Sequence, residues 1–480
     1  MRNKNSQILN RCGSVAALAF VAILLLITSA CGGGASSAAP PSDPGAGSPP
    51  PAGSSAVQIK IGDAPADRVV SFEVTAGPIT LTSTAGAVTT VMSTTRRIEL
   101  THLSGTSEPL ALLSIPQDNY SSASITVSHP EVSFINSSGA LVKLQPALNQ
   151  VVNVNFNPAL SVTASSSVVN FDLSVANSLT FDAQGNVTGV SMSASSFLIS
   201  TSAVAAEDRQ HAEDGELEDI SGVVTNVSGS SFTMALGQSG VSLTFATDDN
   251  TEFNDGASLG TMLNTIVTVE GVTRTDGSLY AKEVEGIENE HGMELEGLIT
   301  QVTGNPASLI TMLGHDGSGN GIDDNVTGTE VTIDMSGARY KVNKGNIDTS
   351  GIGGLPAPPQ FPFDASTIRA GQRVEIESGS AFTGSTIAAE KVKLQQQALV
   401  GTVSGLPGAT SSGPVTFTLT VPADSAFAML SGKTSVTVFW QPGTDLHHLS
   451  SVNNGDSVRV RGLVFFTGSS FNTIARRIDQ

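Results

Sequence analysis

Beyond residue 55 the chain alternates apolar and polar positions almost without interruption, as in VQIKIGDAP, VVSFEVTAG, ASITVSHPEVSF and VVNVNFNP. Alternation with period two sends successive side chains to opposite faces of a strand, and turn-forming Gly, Pro, Asn and Asp punctuate the runs. The pattern predicts an all-β chain. Its first folded part, residues 56–204, reads as a β-sandwich-like domain of immunoglobulin size that lacks the Cys and Trp hallmarks of immunoglobulins.

The later text repeats itself. ISGVVTNV around Gly222, LEGLITQV around Gly297 and LVGTVSGL around Gly401 each open a unit; VTVEG, VEIES and VRVRG follow late in it, and strands containing AKEV, AEKV and ARRI close it. Thr268, Glu375 and Arg459 fall between aliphatic residues in the late strands, which predicts one buried and one wet face. Units of this size close into small β-barrels, which removes exposed sheet edges. Three such OB-like barrels are expected, over residues 218–290, 293–396 (with an insertion) and 397–480. An acidic, unstriped segment, residues 205–217, reads as a solvated linker ahead of them.

The amino terminus has a different pattern. Arg2, Lys4 and Arg11 precede an apolar run, Val15–Ile27, that is short for a bilayer span and reads as the core of an export signal over residues 1–30. The small residues Ser29 and Ala30 directly before Cys31 resemble a bacterial lipoprotein processing site, which makes Cys31 the expected lipidation site; Thr28 departs from the larger aliphatic common in that signal. Gly32 after the cysteine resembles lipoproteins sorted to an outer membrane. Residues 31–55, rich in Gly, Ser and Pro, read as a tether.

Composition narrows the function. Only Cys12 and Cys31 are present, so a processed chain has no disulfide, no thiolate nucleophile and no cysteine metal site. The formal charge of −20 opposes binding to phosphate backbones, so nucleic acid is not an expected partner.

Ile59–Asp67 (IKIGDAPAD), with IELTHL, YSSASITV and NFDLS, resembles the family called domain of unknown function 4382, found in bacterial lipoproteins; Asp63-Ala64-Pro65 is the best-matching motif. GVVTNVSGSSFTM and DGSLYAKEVE resemble the family called domain of unknown function 5666, whose resemblance implies small barrels like the oligonucleotide- and oligosaccharide-binding fold. Neither resemblance implies a reaction.

Candidate chemistry is sparse. In DGSGNGIDDNVT, Asp316, Ser318, Asn320 and Asp324 stand at positions one, three, five and nine, with Gly321 at six, as in an oxygen-ligand calcium loop; Thr327 stands where a bidentate glutamate belongs. The other reading is a solvated insertion loop, and no other cofactor is expected. His447 and His448 beside Asp445 are neighbours that point to opposite faces of a strand, which argues against joint chelation. Asp63, Asp248 and Asp249 read as turn formers, and Trp440 as a core residue, with sugar stacking as its alternative. There is no G-x-S-x-G elbow, H-E-x-x-H helix or phosphate loop.

The resulting expectation is an exported protein, lipid-anchored at an outer membrane or cell surface, of non-enzymatic binding or scaffolding type. Its expected partners are a membrane, reached through the lipid, and an envelope protein or polysaccharide. The alternative is a glycan- or calcium-dependent binder, or a hydrolase, with its site in the insertion loops.

Overall fold

A computed structural model describes residues 53–64, 68–104, 107–204, 216–236, 242–286, 292–319, 326–343, 347, 361–380, 382, 386–446 and 449–480. The signal segment, Cys31 and nearly all of the tether lie outside these residues. The described chain is all-β, and its longest helix is Ala426–Ser431. Among the described residues no helix is long and apolar enough to cross a membrane.

Two large sheets and a two-stranded ribbon, Leu179–Phe181 with Val187–Val190, form the first domain. Ser54–Ala64 pairs in parallel with Ser166–Ser174 and antiparallel with Ser107–Pro116, and Phe197–Ala203 adds to the far side of Ser166–Ser174. The second sheet is built on Val69–Ser83 and Asp118–Ile135. Alternate residues of both, among them Ile59, Phe171, Phe72, Val127 and Tyr120, meet in one core. The buried Tyr120 keeps its hydroxyl satisfied by donating to the Pro116 carbonyl at 2.8 Å.

Each repeat is built on five barrel strands of one topology, to which the first adds Glu252–Asn254 and the second Arg339–Val342, each paired in parallel with strand five. In the first, strands one to five are Glu216–Ser228, Ser231–Leu236, Ser242–Ala246, Ile266–Thr273 and Leu279–Gly286. Strand three pairs in parallel with strand five, and strand four returns antiparallel to strand one, so the order is one-two-three-five-four and back to one. The third barrel repeats this with Gln396–Ser404, Val415–Thr420, Ser435–Leu446, Ser457–Thr467 and Ser470–Asp479. The second uses Met293–Gly304, Ala307–Gly319, Glu330–Asp334 and Arg373–Ser378, and its strand five is divided into Thr386–Ala388 and Lys391–Leu394. Strand one of the first barrel begins inside the expected acidic linker: Leu217 is fully buried and pairs with Gly271, because backbone pairing needs only one apolar anchor among the acids.

The glycine that opens each repeat has a steric cause. A Cβ on Gly222, Gly297 or Gly401 would lie 2.3, 2.1 or 2.6 Å from the carbonyl oxygen of Ala235, Leu313 or Thr420 on strand two. Gly297→Ala is therefore expected to cost about 1–3 kcal/mol through forced backbone movement. Gly408→Ala, which meets nothing within 4 Å, serves as the control and is expected to shift the thermal melt little.

The expectation of a wet face on the late strands is corrected for the first two barrels. Thr268 and Glu375 are 7% and 2% exposed, and every residue of Arg373–Ser378 is buried, whereas Arg459 in the third stays partly exposed and pairs with Asp479. The domains pack on one another, so the polar face that a lone barrel would show to water is covered by a neighbour. Between the second and third barrels the cover is apolar: Phe361 lies 5.2 Å from Phe465 and 5.3 Å from Phe439, with Leu394, Leu463 and Ile474 around them.

Candidate functional site

Between the first and second barrels the cover is ionic. Cross-strand register sets Glu375 opposite Lys393 and Glu377 opposite Lys391 on strands four and five of the second barrel. Lys393 Nζ lies 2.9 Å from both Glu375 and Glu377 and 3.1 Å from Glu285 of the first barrel. Lys391 Nζ lies 2.9 Å from Glu377 and from Asp255 of the first barrel, and Lys341 also binds Asp255. Glu294 joins them from strand one, accepting the Ser221 hydroxyl of the first barrel at 3.0 Å. Five carboxylates thus meet three ammonium groups.

That imbalance appears in the protonation of the group. Burial, reinforced by Glu375 and Glu377, holds the Glu294 carboxyl well above its usual range, and burial with Glu377 and Glu285 nearby pushes Glu375 up to about 7 against the pull of Lys393. Lys393 is raised too: burial opposes its charge, but Glu375, Glu377, Glu285 and Glu294 outweigh it.

A second convergence lies where the sandwich meets the second and third barrels. The IELTHL segment turns there from a strand, Arg96–Glu99, into the 3-10 turn Thr101–Leu103. Glu99 stitches this corner. Its Oε1 accepts from the Phe72 amide at 2.8 Å, the Thr101 amide at 3.1 Å and the Thr101 hydroxyl at 2.7 Å; its Oε2 accepts from the His102 amide and lies 3.0 Å from His102 Nδ1. Burial alone would raise this carboxyl, but His315, His102 and these hydrogen bonds hold it well below the usual range. From the second barrel, His315 Nε2 lies 2.9 Å from the Val70 carbonyl and its ring centroid 6.5 Å from that of His102. Arg373, ion-paired with Glu296, donates to the His102 carbonyl at 2.9 Å. A cavity of about 130 Å³ opens among these groups and the apolar side chains of Leu298, Leu399, Val421 and Phe427.

A third contact joins sandwich and second barrel: Lys143 donates to the Gly328 carbonyl at 3.0 Å and pairs with Glu131, and Arg97 pairs with Glu73. Burial, with help from Glu99 and Glu131, pushes Glu73 up to about 7 despite Arg97.

The residues singled out from the sequence are placed differently. Asp316 and Ser318 belong to strand two of the second barrel, opposite Glu296 and Glu294, and Asp316 Oδ1 accepts the amide of its neighbour Gly317 at 2.8 Å. The first positions of the expected calcium loop are therefore paired strand; Asn320 and Asp324 lie outside the described residues. Among the described residues no group of three or more His, Cys, Asp or Glu is placed to hold a metal ion. His447 and His448 also lie outside them, while Asp445 pairs with Arg477 at 3.2 Å. Asp63 sits in strand Ser54–Ala64, opposite Leu173. Asp248 holds a turn, accepting the Asn250 amide and the Tyr280 hydroxyl, both at 2.7 Å. Trp440 is fully buried against Phe417 in the third barrel's core. Glu99, His102, His315 and the Glu/Lys ladder were not singled out. A signal for the ladder was present: Glu at alternate positions of VEIES and Lys at alternate positions of KVKL, on strands bound to be neighbours.

Comparison with known proteins adds one family match: the model for Domain of unknown function (DUF5666) matches residues 221–285, the first barrel. No curated protein matches the chain. Similar solved structures include "drosophila Unr CSD456" (10% identity, 55% of this chain and 97% of that one, TM-score 0.12) and a deletion mutant of the single-stranded DNA binding protein from Thermus aquaticus (16%, 39% and 93%, TM-score 0.13). A multidomain protein with nucleic acid binding domains from Streptococcus pneumoniae is similar at 10% identity over 56% of this chain and 74% of that one, TM-score 0.11. At such TM-scores the likenesses carry no argument for a ligand of this chain.

The expectation on partners is nevertheless corrected. It excluded nucleic acid on net charge and named a membrane, an envelope protein and a polysaccharide, whereas two of these similar structures are described as nucleic-acid-binding and no comparison points to a membrane or polysaccharide. Net charge sums over all domains and does not describe the surface of one barrel. The first barrel thus matches the model of the family described as Domain of unknown function (DUF5666), within a larger all-β chain.

Proposed function

We propose that this is an exported, non-enzymatic scaffold, acylated at Cys31, in which the β domains act together as one binding platform. The observation that carries this reading is the ionic face between the first two barrels. Its charged side chains are committed to holding domains in register, with Lys391 and Lys393 each bonded to carboxylates of both barrels. Glu99, the acid beside the cavity, is likewise committed, with both oxygens taken up by the Phe72, Thr101 and His102 groups around it. Groups bonded across a junction in this way hold its geometry.

The test is metabolite profiling of a deletion strain. Under this reading no small molecule accumulates; one that accumulates and is consumed by the purified full chain overturns it. Acylation is read separately: the exported chain is expected to carry lipid mass on its first mature residue, and Cys31→Ala to lose it.

A further inference from the structure

From the cavity at the junction of the sandwich with the second and third barrels, we infer a binding site for a small uncharged ligand that presents a hydroxyl to His315 Nδ1. This goes beyond the scaffolding role and does not depend on it. His315 is 5% exposed and lines the cavity, and its Nδ1 finds no hydrogen-bond partner among the described residues. Its tautomer follows from the other nitrogen: a carbonyl only accepts, so Nε2 carries the proton toward Val70 and Nδ1 is left as a lone pair. Burial holds the ring's affinity for a second proton below the usual range, which keeps that lone pair available. Ser104 Oγ, on the same wall, is a second buried polar atom without a partner. Unpaired buried polar atoms cost stability, and a ligand that satisfies them recovers it.

Size and charge define the class. A cavity of about 130 Å³ is near the size that admits a single benzene-sized ring. Leu298, Leu399, Val421 and Phe427 supply apolar walls. The charges nearby are matched, Arg373 by Glu296 and Glu99 by its hydrogen bonds and His102, so an ionic ligand gains no unpaired counter-charge. A small alcohol or phenol fits this description.

The experiment titrates phenol, with benzene as the comparator lacking a donor, into the full chain by calorimetry. Phenol is expected to saturate and to bind about tenfold more tightly than benzene, the difference that one hydrogen bond to a buried acceptor makes. His315→Phe is expected to abolish the preference, and Ala426→Leu, which adds bulk to the cavity wall, to weaken both. Absence of saturation by phenol, or a phenol affinity unchanged by Ala426→Leu, overturns the inference. Each variant is melted first; if His315→Phe does not fold, Ala426→Leu decides alone, since it leaves the bond to Val70 in place.

Discussion

Lys393→Met is expected to destabilise the joined first and second barrels by about 3–5 kcal/mol, the cost of removing one partner from a buried ionic group. The ammonium is 3% exposed and bridges Glu375, Glu377 and Glu285, so its loss leaves three carboxylates facing one another with Lys391 and Lys341 as the remaining cations. Calorimetric melting of the full chain measures the effect. The double variant Lys393→Met with Glu375→Gln is expected to recover part of the loss, because it removes a charge that the first substitution left unpaired. If the single variant melts like wild type, the face between the barrels does not hold them. Trp440, the only tryptophan, lies in the third barrel, so its fluorescence reports whether the damage spreads there.

Stability of the same face is expected to fall as pH rises from about 4.5 through 7. Glu375 titrates near 4.5 when unfolded and at about 7 when folded, so its contribution is complete below the lower value and lost as pH passes the higher. Glu294, raised further by burial and by Glu375 and Glu377, extends the loss above that range. Each proton released adds a slope of about 1.4 kcal/mol per pH unit. Glu294→Gln mimics the protonated acid and is expected to flatten the slope and raise stability at about pH 8. Glu99 works in the opposite direction: its lowered folded value supplies stability above the unfolded value, which is lost as pH falls. Glu99→Gln is thus expected to be most damaging near neutrality and least in acid. Urea midpoints above about pH 4.5 check the first sign and midpoints below about pH 4.5 the second; a Glu294→Gln curve parallel to wild type would remove Glu294 from the account.

The strand pattern was legible because a strand writes its two faces into alternate residues. VTVEG, VEIES and VRVRG announced equivalent strands, each in a unit opened by a glycine; that no Cβ fits at those glycines was visible only once strand two was seen to pack against them. The candidate sites were legible only in fragments. Asp316 and Ser318 matched a loop by spacing, yet spacing does not reveal that strand one will pair with them. IELTHL contained Glu99 and His102 three positions apart, but nothing in it shows that the corner will meet His315 and Arg373, more than two hundred residues later.

By itself, the sequence determined the all-β class and the repeated strand pattern. Each depends on local periodicity or on composition, which do not change when domains dock. Only the tertiary structure decided that the polar faces of the late strands in the first two barrels are covered, that Glu375 and Lys393 are buried, and that two histidines from different domains line one cavity. Burial and protonation depend on which neighbour displaces water, and that neighbour is chosen by packing between segments far apart in the chain.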